Sequence, residues 1–214
     1  MTRASGIIAV LMSLPVAASA EVELSFYGGL QTAPASDVSI RGDFVIADTT
    51  FEQGWEGRSL SAPPYFGIRA TWWLDSDYGY GLDFTHNKLL PEGGPPPGFS
   101  TLEFADGFNT LTMNAYRRWD EILGQASPYI GGGIGLAIPH VEVTNGASQT
   151  SEYQITGPAA TLIAGASFPI TDRMSLFGEY KGTLSSNTAS LESGGTLSAD
   201  ILTNAVNVGV SFDF

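Results

Sequence analysis

The sequence predicts an all-β fold: an eight-stranded antiparallel transmembrane β-barrel with short periplasmic turns and long extracellular loops. Three observations predict it. Apolar residues recur at every second position in about eight segments of roughly ten residues, the period of a strand with one apolar face. The connections between those segments alternate between short and long, as they do in barrels of a bacterial outer membrane. Charged residues make up only 14% of the 214 residues, while 26 are Gly; an ordinary soluble domain carries more charge and less glycine, and the balance suits a sheet bathed in lipid.

The first segment is a leader. Met1 to Ala20 carries one basic residue, Arg3, then an apolar run from Gly6 to Val16 and small residues at Ala18 and Ala20, the layout of a secretory signal peptide cut after Ala20. Its apolar run is too short for a helical anchor, which needs about 20 residues. The mature barrel domain then runs over residues 21–214, outside the cytoplasm.

The strands follow in order. Val22, Leu24 and Phe26 alternate with Glu21, Glu23, Ser25 and Tyr27, and Phe66, Ile68, Ala70, Trp72 and Leu74 alternate with Tyr65, Arg69, Thr71 and Trp73. Tyr80, Leu82 and Phe84 face away from Asp83 and Thr85, and Leu111, Met113 and Ala115 from Thr112, Asn114 and Tyr116. Ile130, Ile134, Leu136 and Ile138 oppose a row of Gly131, Gly133, Gly135 and Ala137, read as room for bulky neighbours across the barrel. Leu162, Ala164, Ala166 and Phe168 come next, then Leu176 and Tyr180 against Glu179 and Lys181. The last strand is the clearest, with Leu202, Val206, Val208, Val210, Phe212 and Phe214 on one face and only Asn204 breaking the row.

Short connections near residues 75–79, 120–127 and 169–174 carry Asp, Gly and Pro turn chemistry. Long ones near 31–63, 88–107, 143–156 and 185–199 fall on the other side and read as extracellular loops. Phe26, Trp72, Trp119, Phe168, Phe212 and Phe214 sit at strand ends, where an interfacial girdle belongs. A final strand closing on Phe214 fits recognition by the barrel assembly machinery. A secreted lipocalin-like or sandwich domain is disfavoured, because Arg69, Asp83, Glu179, Lys181, Asn207, Ser211 and Asp213 would then lie unsatisfied in an apolar core.

Eight strands enclose a lumen that their own side chains fill, and Tyr65, Trp73, Tyr116 and Phe177 are large. No open pore is expected, which disfavours a small porin. Arg69 and Lys181 are expected to pair with Glu23, Asp83 and Glu179 as a structural network. The net charge of −13 excludes a nucleic-acid surface, and the absence of Cys excludes disulfides, thiolate metal sites and a cysteine nucleophile. No phosphate-cradling glycine loop, dinucleotide fingerprint or Gly-x-Ser-x-Gly elbow is present, so no organic cofactor is expected.

The chain has two histidines, and register puts both on the outward face. Tyr80, Leu82 and Phe84 lead to His86 and Lys88; Ile134, Leu136 and Ile138 lead to His140 and Glu142. The strand between them carries Asp106 and an outward Asn109 at the same end. Outward polar residues at the extracellular rim meet the phosphorylated glucosamines of lipid A, the membrane anchor of lipopolysaccharide. Such a cluster can bind that head group or hold a divalent transition metal; a merely interfacial role is the alternative.

Several segments carry a resemblance. ELSFYGGLQTAPASDV from Glu23, GWEGRS from Gly54, PPYFGIRATWW from Pro63, FTHNK from Phe84, LEFADGFNTLT from Leu102, PHVEV from Pro139, YQITGPA from Tyr153, FGEYKG from Phe177 and the final TNAVNVGVSFDF resemble the lipid A oxidase family of outer-membrane barrels. The most distinctive of these lie in loops or at the rim, where a barrel needs no particular sequence. The resemblance implies an enzyme that uses molecular oxygen to oxidise the proximal glucosamine of lipid A to 2-aminogluconate, with release of hydrogen peroxide. One departure stands out: Ala35 and Ser36 follow the QTAP segment where a histidine is expected.

Register and chemistry then assign roles. His86, His140 and Asp106 are candidate ligands of a divalent metal, with Glu142 as a further catalytic group. Lys88, Arg58 and Asn109 are candidate binders of lipid A, the first two through its phosphates. Glu142 or an unliganded histidine is the candidate general base. A non-enzymatic barrel with a structural or adhesive role would use the same scaffold without that chemistry.

Overall fold

In a computed structural model, residues 21–74, 77–120 and 125–214 are described, so the leader lies outside the described residues. The strands, in chain order, are β1 (Glu21–Arg41), β2 (Thr49–Glu56), β3 (Phe66–Trp73), β4 (Tyr78–His86), β5 (Leu90–Pro91), β6 (Thr101–Glu103), β7 (Phe108–Arg118), β8 (Ser127–Asn145), β9 (Ser148–Tyr153), β10 (Gly157–Thr171), β11 (Met174–Ser190) and β12 (Thr196–Asp213). Among them β1, β3, β4, β7, β8, β10, β11 and β12 pair antiparallel in sequence, and β12 returns to β1, which closes an eight-membered ring. Closure leaves no unpaired edge in the wall, the condition for crossing lipid with strands.

The predicted alternation is borne out in the membrane-spanning part. Ile68, Leu82, Met113, Ile134, Leu162 and Val206 are exposed, whereas Arg69, Thr71, Asp83, Thr112, Asn114 and Asn207 are buried in the lumen. The glycine row has a nearer cause than the one expected. A Cβ at Gly131 would strike the Tyr116 ring, and one at Gly133 or Gly135 would strike the backbone of β7, the adjacent strand.

The long extracellular loops are largely strand. β1 continues to Arg41 and turns back as β2, β8 folds into β9, and β11 and β12 stay in register up to Ser190 and Thr196. The sequence conceals this because the polarity of the faces inverts. Along β12 the inward row is Ser211, Asn207 and Thr203, then Ile201, Ala199 and Leu197; along β8 the inward row ends in Ala137, Val141 and Val143. In β1 a register shift between Thr32 and Val38 brings Val38 and Ile40 inside with full burial. These residues pack with Trp55, Leu89, Leu102, Phe104 and Phe108 into an apolar core inside the extracellular end. Inside lipid the wall turns its apolar face out; above lipid the same wall has water outside and turns that face in.

Below that core the lumen is closed by a charged network. Arg69 donates from Nε to Asp83 Oδ2 at 2.8 Å and from Nη2 and Nη1 to Glu179 at 2.7 and 2.9 Å. Lys181 donates to Asp83 Oδ1 at 2.8 Å and to Thr85 Oγ1 at 2.6 Å. Tyr27 donates to Asp83 at 2.6 Å, and Tyr129 and Asn207 donate to Glu179 at 2.7 and 3.1 Å. Of the expected members, Glu23 stands apart, accepting hydrogen bonds from Ser25 and Trp73 nearer the periplasmic end.

Candidate functional site

The inversion of faces explains the rim. Where apolar residues move inside, the outward row of β8 passes from Leu136 and Ile138 to His140, Glu142 and Thr144. His140 stands 13 residues above Ser127; at about 3.3 Å per residue and a tilt of roughly 40°, that is about 33 Å along the membrane normal, above an apolar band about 25 Å tall. His140 and Glu142 therefore occupy the level of the lipid head groups.

Three side chains converge there. One ligand atom each of Asp106, His140 and Glu142 lies within 4.8 Å of the other two. Backbone pairing sets this up: the His140 amide donates to the Gly107 carbonyl at 2.7 Å, which pins the residue after Asp106 against β8. Tyr153 then fixes both partners, its ring edge on His140 at 4.8 Å between centroids and its hydroxyl donating to the Asp106 carbonyl at 2.8 Å. His140 is 12% exposed at its side chain, and its Nδ1 lies 3.7 Å from Asp106 Oδ2. That nitrogen is buried with no hydrogen-bond partner.

Glu103, which the sequence did not single out, lies across the β6–β8 ladder from Glu142. Burial and the neighbouring Glu142 and Asp106 carboxylates raise its pKa from the ordinary value, and Arg58 pulls the other way. A single glutamate in a long connection carries no sequence signal; the pairing register alone brings it to Glu142. Arg58 is half-exposed at 56%, in an ion pair with Glu56 at 3.0 Å.

The remaining predicted residues fall elsewhere. His86 keeps its outward parity but is buried, stacked on Phe66 at 5.2 Å, with Nδ1 2.8 Å from Asn109 Oδ1. It does not face lipid as register had implied, and it is not among the converging ligand atoms. The cause is the neighbouring chain: the β6–β7 link runs so close that a Cβ at Gly107 would strike the His86 ring. Lys88 is also buried, its ammonium donating to the carbonyls of Ser61 and Ala62 at 3.2 and 2.8 Å. Its charge is occupied by the loop rather than turned to a phosphate. Ser36, at the departure after the QTAP segment, accepts a hydrogen bond from the Trp55 indole at 2.9 Å.

The donor set at the rim suits a metal. One imidazole nitrogen and two carboxylates match the preferences of borderline divalent cations, and the unpartnered Nδ1 of His140 supplies a free lone pair in one of its two neutral tautomers.

Comparison with known proteins places the architecture. The family model described as "Outer membrane protein beta-barrel domain" matches residues 6–214. No curated protein matches the chain significantly. Among solved structures, Neisserial surface protein A is similar at 14% identity and a TM-score of 0.52, over 92% of this chain and 99% of that one. The outer membrane protein AlkL is similar at 13% identity and 0.50, over 100% and 97%. OprG from Pseudomonas aeruginosa is similar at 10% identity and 0.50, over 92% and 97%. At these identities the likeness is one of fold.

Proposed function

The chain belongs to the outer membrane protein beta-barrel domain family, and on that scaffold we propose that it is a lipid A oxidase working at the extracellular rim. The observation that carries this reading is the convergence of Asp106, His140 and Glu142 on the outward face at head-group level. A barrel needs no such group for stability, and lipopolysaccharide is the molecule it meets. The resemblance of LEFADGFN and PHVEV to lipid A oxidases falls on these same rim residues, and that of GWEGRS on Arg58.

The ring form of the proximal glucosamine, with its C1 hydroxyl free, loses that proton and the C1 hydrogen with two electrons, and gives a lactone. Molecular oxygen takes both electrons and two protons and leaves as hydrogen peroxide; water opens the lactone to 2-aminogluconate, a net gain of one oxygen. Glu142 accepts the hydroxyl proton, through the carboxylate oxygen that the metal leaves free. Arg58, beside the cluster, binds a lipid A phosphate. A transition metal, when bound, supplies the electron transfer that oxygen activation needs. The outward Phe214 at the end of β12 serves as the handle for barrel assembly.

The test is mass spectrometry of lipid A from a lipopolysaccharide-bearing host whose lipid A has a free C1 hydroxyl, expressing the chain or its His140→Ala/Glu142→Gln variant. One added oxygen on the proximal sugar, absent with the variant, is expected. Unmodified lipid A, with the barrel folded and oxygen supplied, leaves a structural or adhesive barrel.

A further inference from the structure

Deepening that reading, we propose that Asp106, His140 and Glu142 form a divalent transition-metal site in which Glu103 supplies a further carboxylate, and that His86 is no part of it. Three potential ligand atoms from two backbone segments already lie within 4.8 Å of one another, so a cation at their centre would require side-chain adjustment rather than refolding of the strands. Glu103 sits directly opposite Glu142 in the ladder, which adds a third carboxylate beside one imidazole. Facing carboxylates on neighbouring strands repel one another, and a divalent cation is the ligand that relieves this.

The imidazole decides the class of cation. Carboxylates alone would suit magnesium, calcium or manganese, whereas an added imidazole favours iron, nickel, copper or zinc and, of the first three, holds manganese best. His140 is held for that role: Tyr153 packs on its ring, and its Nδ1 is enclosed with no hydrogen-bond partner and turned toward Asp106. A buried imidazole nitrogen without a partner loses hydration and gains nothing in return, which a metal bond would reverse. His86 also holds a buried nitrogen without a partner, Nε2, but its Nδ1 is engaged by Asn109, and it is not among the ligand atoms that converge among the described residues.

The experiment uses the full mature chain, stripped with chelator and held in phosphatidylcholine nanodiscs free of lipopolysaccharide. Manganese(II) is titrated and followed by electron paramagnetic resonance, with the nitrogen coupling of the bound ion read from its spin-echo modulation. One bound manganese per chain is expected, showing a nitrogen coupling and resisting a tenfold excess of magnesium. His140→Ala should remove the coupling and weaken binding at least tenfold. Glu103→Gln should weaken binding severalfold, and His86→Ala should leave the coupling in place. Folding of each variant is verified by its mobility on unheated gels, so that a misfolded barrel is not read as a lost site.

The site is overturned if no manganese binds, if magnesium displaces it freely, or if His140→Ala leaves affinity and coupling unchanged. Unchanged affinity in Glu103→Gln overturns the part given to Glu103, and loss of the coupling in His86→Ala overturns the exclusion of His86. Failure here is separable from failure of the oxidase reading. Metal bound with lipid A unmodified sinks the oxidase and keeps the site; lipid A oxidised by a chain that binds no metal does the opposite.

Discussion

Two clusters of ionisable groups lie on opposite faces of one wall, and they are built for different ends. In the lumen, Arg69 and Lys181 face Asp83 and Glu179, two positive charges against two negative, and each carboxylate takes further hydrogen bonds from tyrosine or asparagine. At the rim, Asp106 and Glu142 converge on one imidazole whose Nδ1 has no partner, and Glu103 lies across the ladder from Glu142. The first cluster is complete within the chain, and its energy goes into holding strands of the ring together. The second is incomplete: its carboxylates outnumber the cation that acts on them, Arg58, which is itself paired with Glu56.

The comparison breaks first, and by the largest amount, in the lumen. Asp83→Ala strips Lys181 of its carboxylate and Arg69 of one of two, leaving buried charge uncompensated; such a break costs about 3–5 kcal/mol. Urea unfolding of the barrel in lipid vesicles measures it. The rim variant Asp106→Ala, in a residue 66% exposed at its side chain, should cost less than about 1 kcal/mol in the same assay. Equal losses at the two sites would remove the distinction between a finished network and an open one.

His86→Ala sharpens the contrast within the rim. It removes a buried ring stacked on Phe66 and frees Asn109, and a buried truncation of this kind costs about 1–3 kcal/mol. The oxidised fraction of lipid A per folded chain should nevertheless stay close to that of the unaltered protein. Loss of product with unchanged stability would restore His86 to the chemistry and show that parity had been the better guide.

Parity was legible in the sequence, and so was most of the ring. The outward rows of β4, β8 and β12 fall where the alternation puts them, and Arg69, Asp83, Glu179 and Lys181 meet in the lumen as the inward row implied. Two features escaped it. Above the membrane the apolar row changes sides, so Val38, Ile40, Leu197 and Ile201 alternate against the expected sense and their strands read as loops. Neighbouring chain also covers some outward positions: His86 and Lys88 have the parity of lipid-facing residues, yet the links at Gly107 and at Ser61 and Ala62 close over them. Contacts made by connections depend on where the connections fold, which no strand period encodes. Glu103 was lost for the same reason, since only the β6–β8 register carries it to Glu142.

The smallest effect belongs to Glu103. Its pKa is raised from 4.5 by burial first and by Glu142 and Asp106 next. Between that value and the raised one, the folded chain keeps a proton that the unfolded chain has released, so stability falls as pH rises through this interval. The group is half-buried and still in reach of solvent, so the slope amounts to no more than a fraction of about 1 kcal/mol. Glu103→Gln removes the titration and should flatten the stability profile just above pH 4.5, measured in chelator so that no cation intervenes. A profile that Glu103→Gln leaves unchanged in this interval would take the titration away from Glu103 and with it the crowding of carboxylates that the β6–β8 register implies.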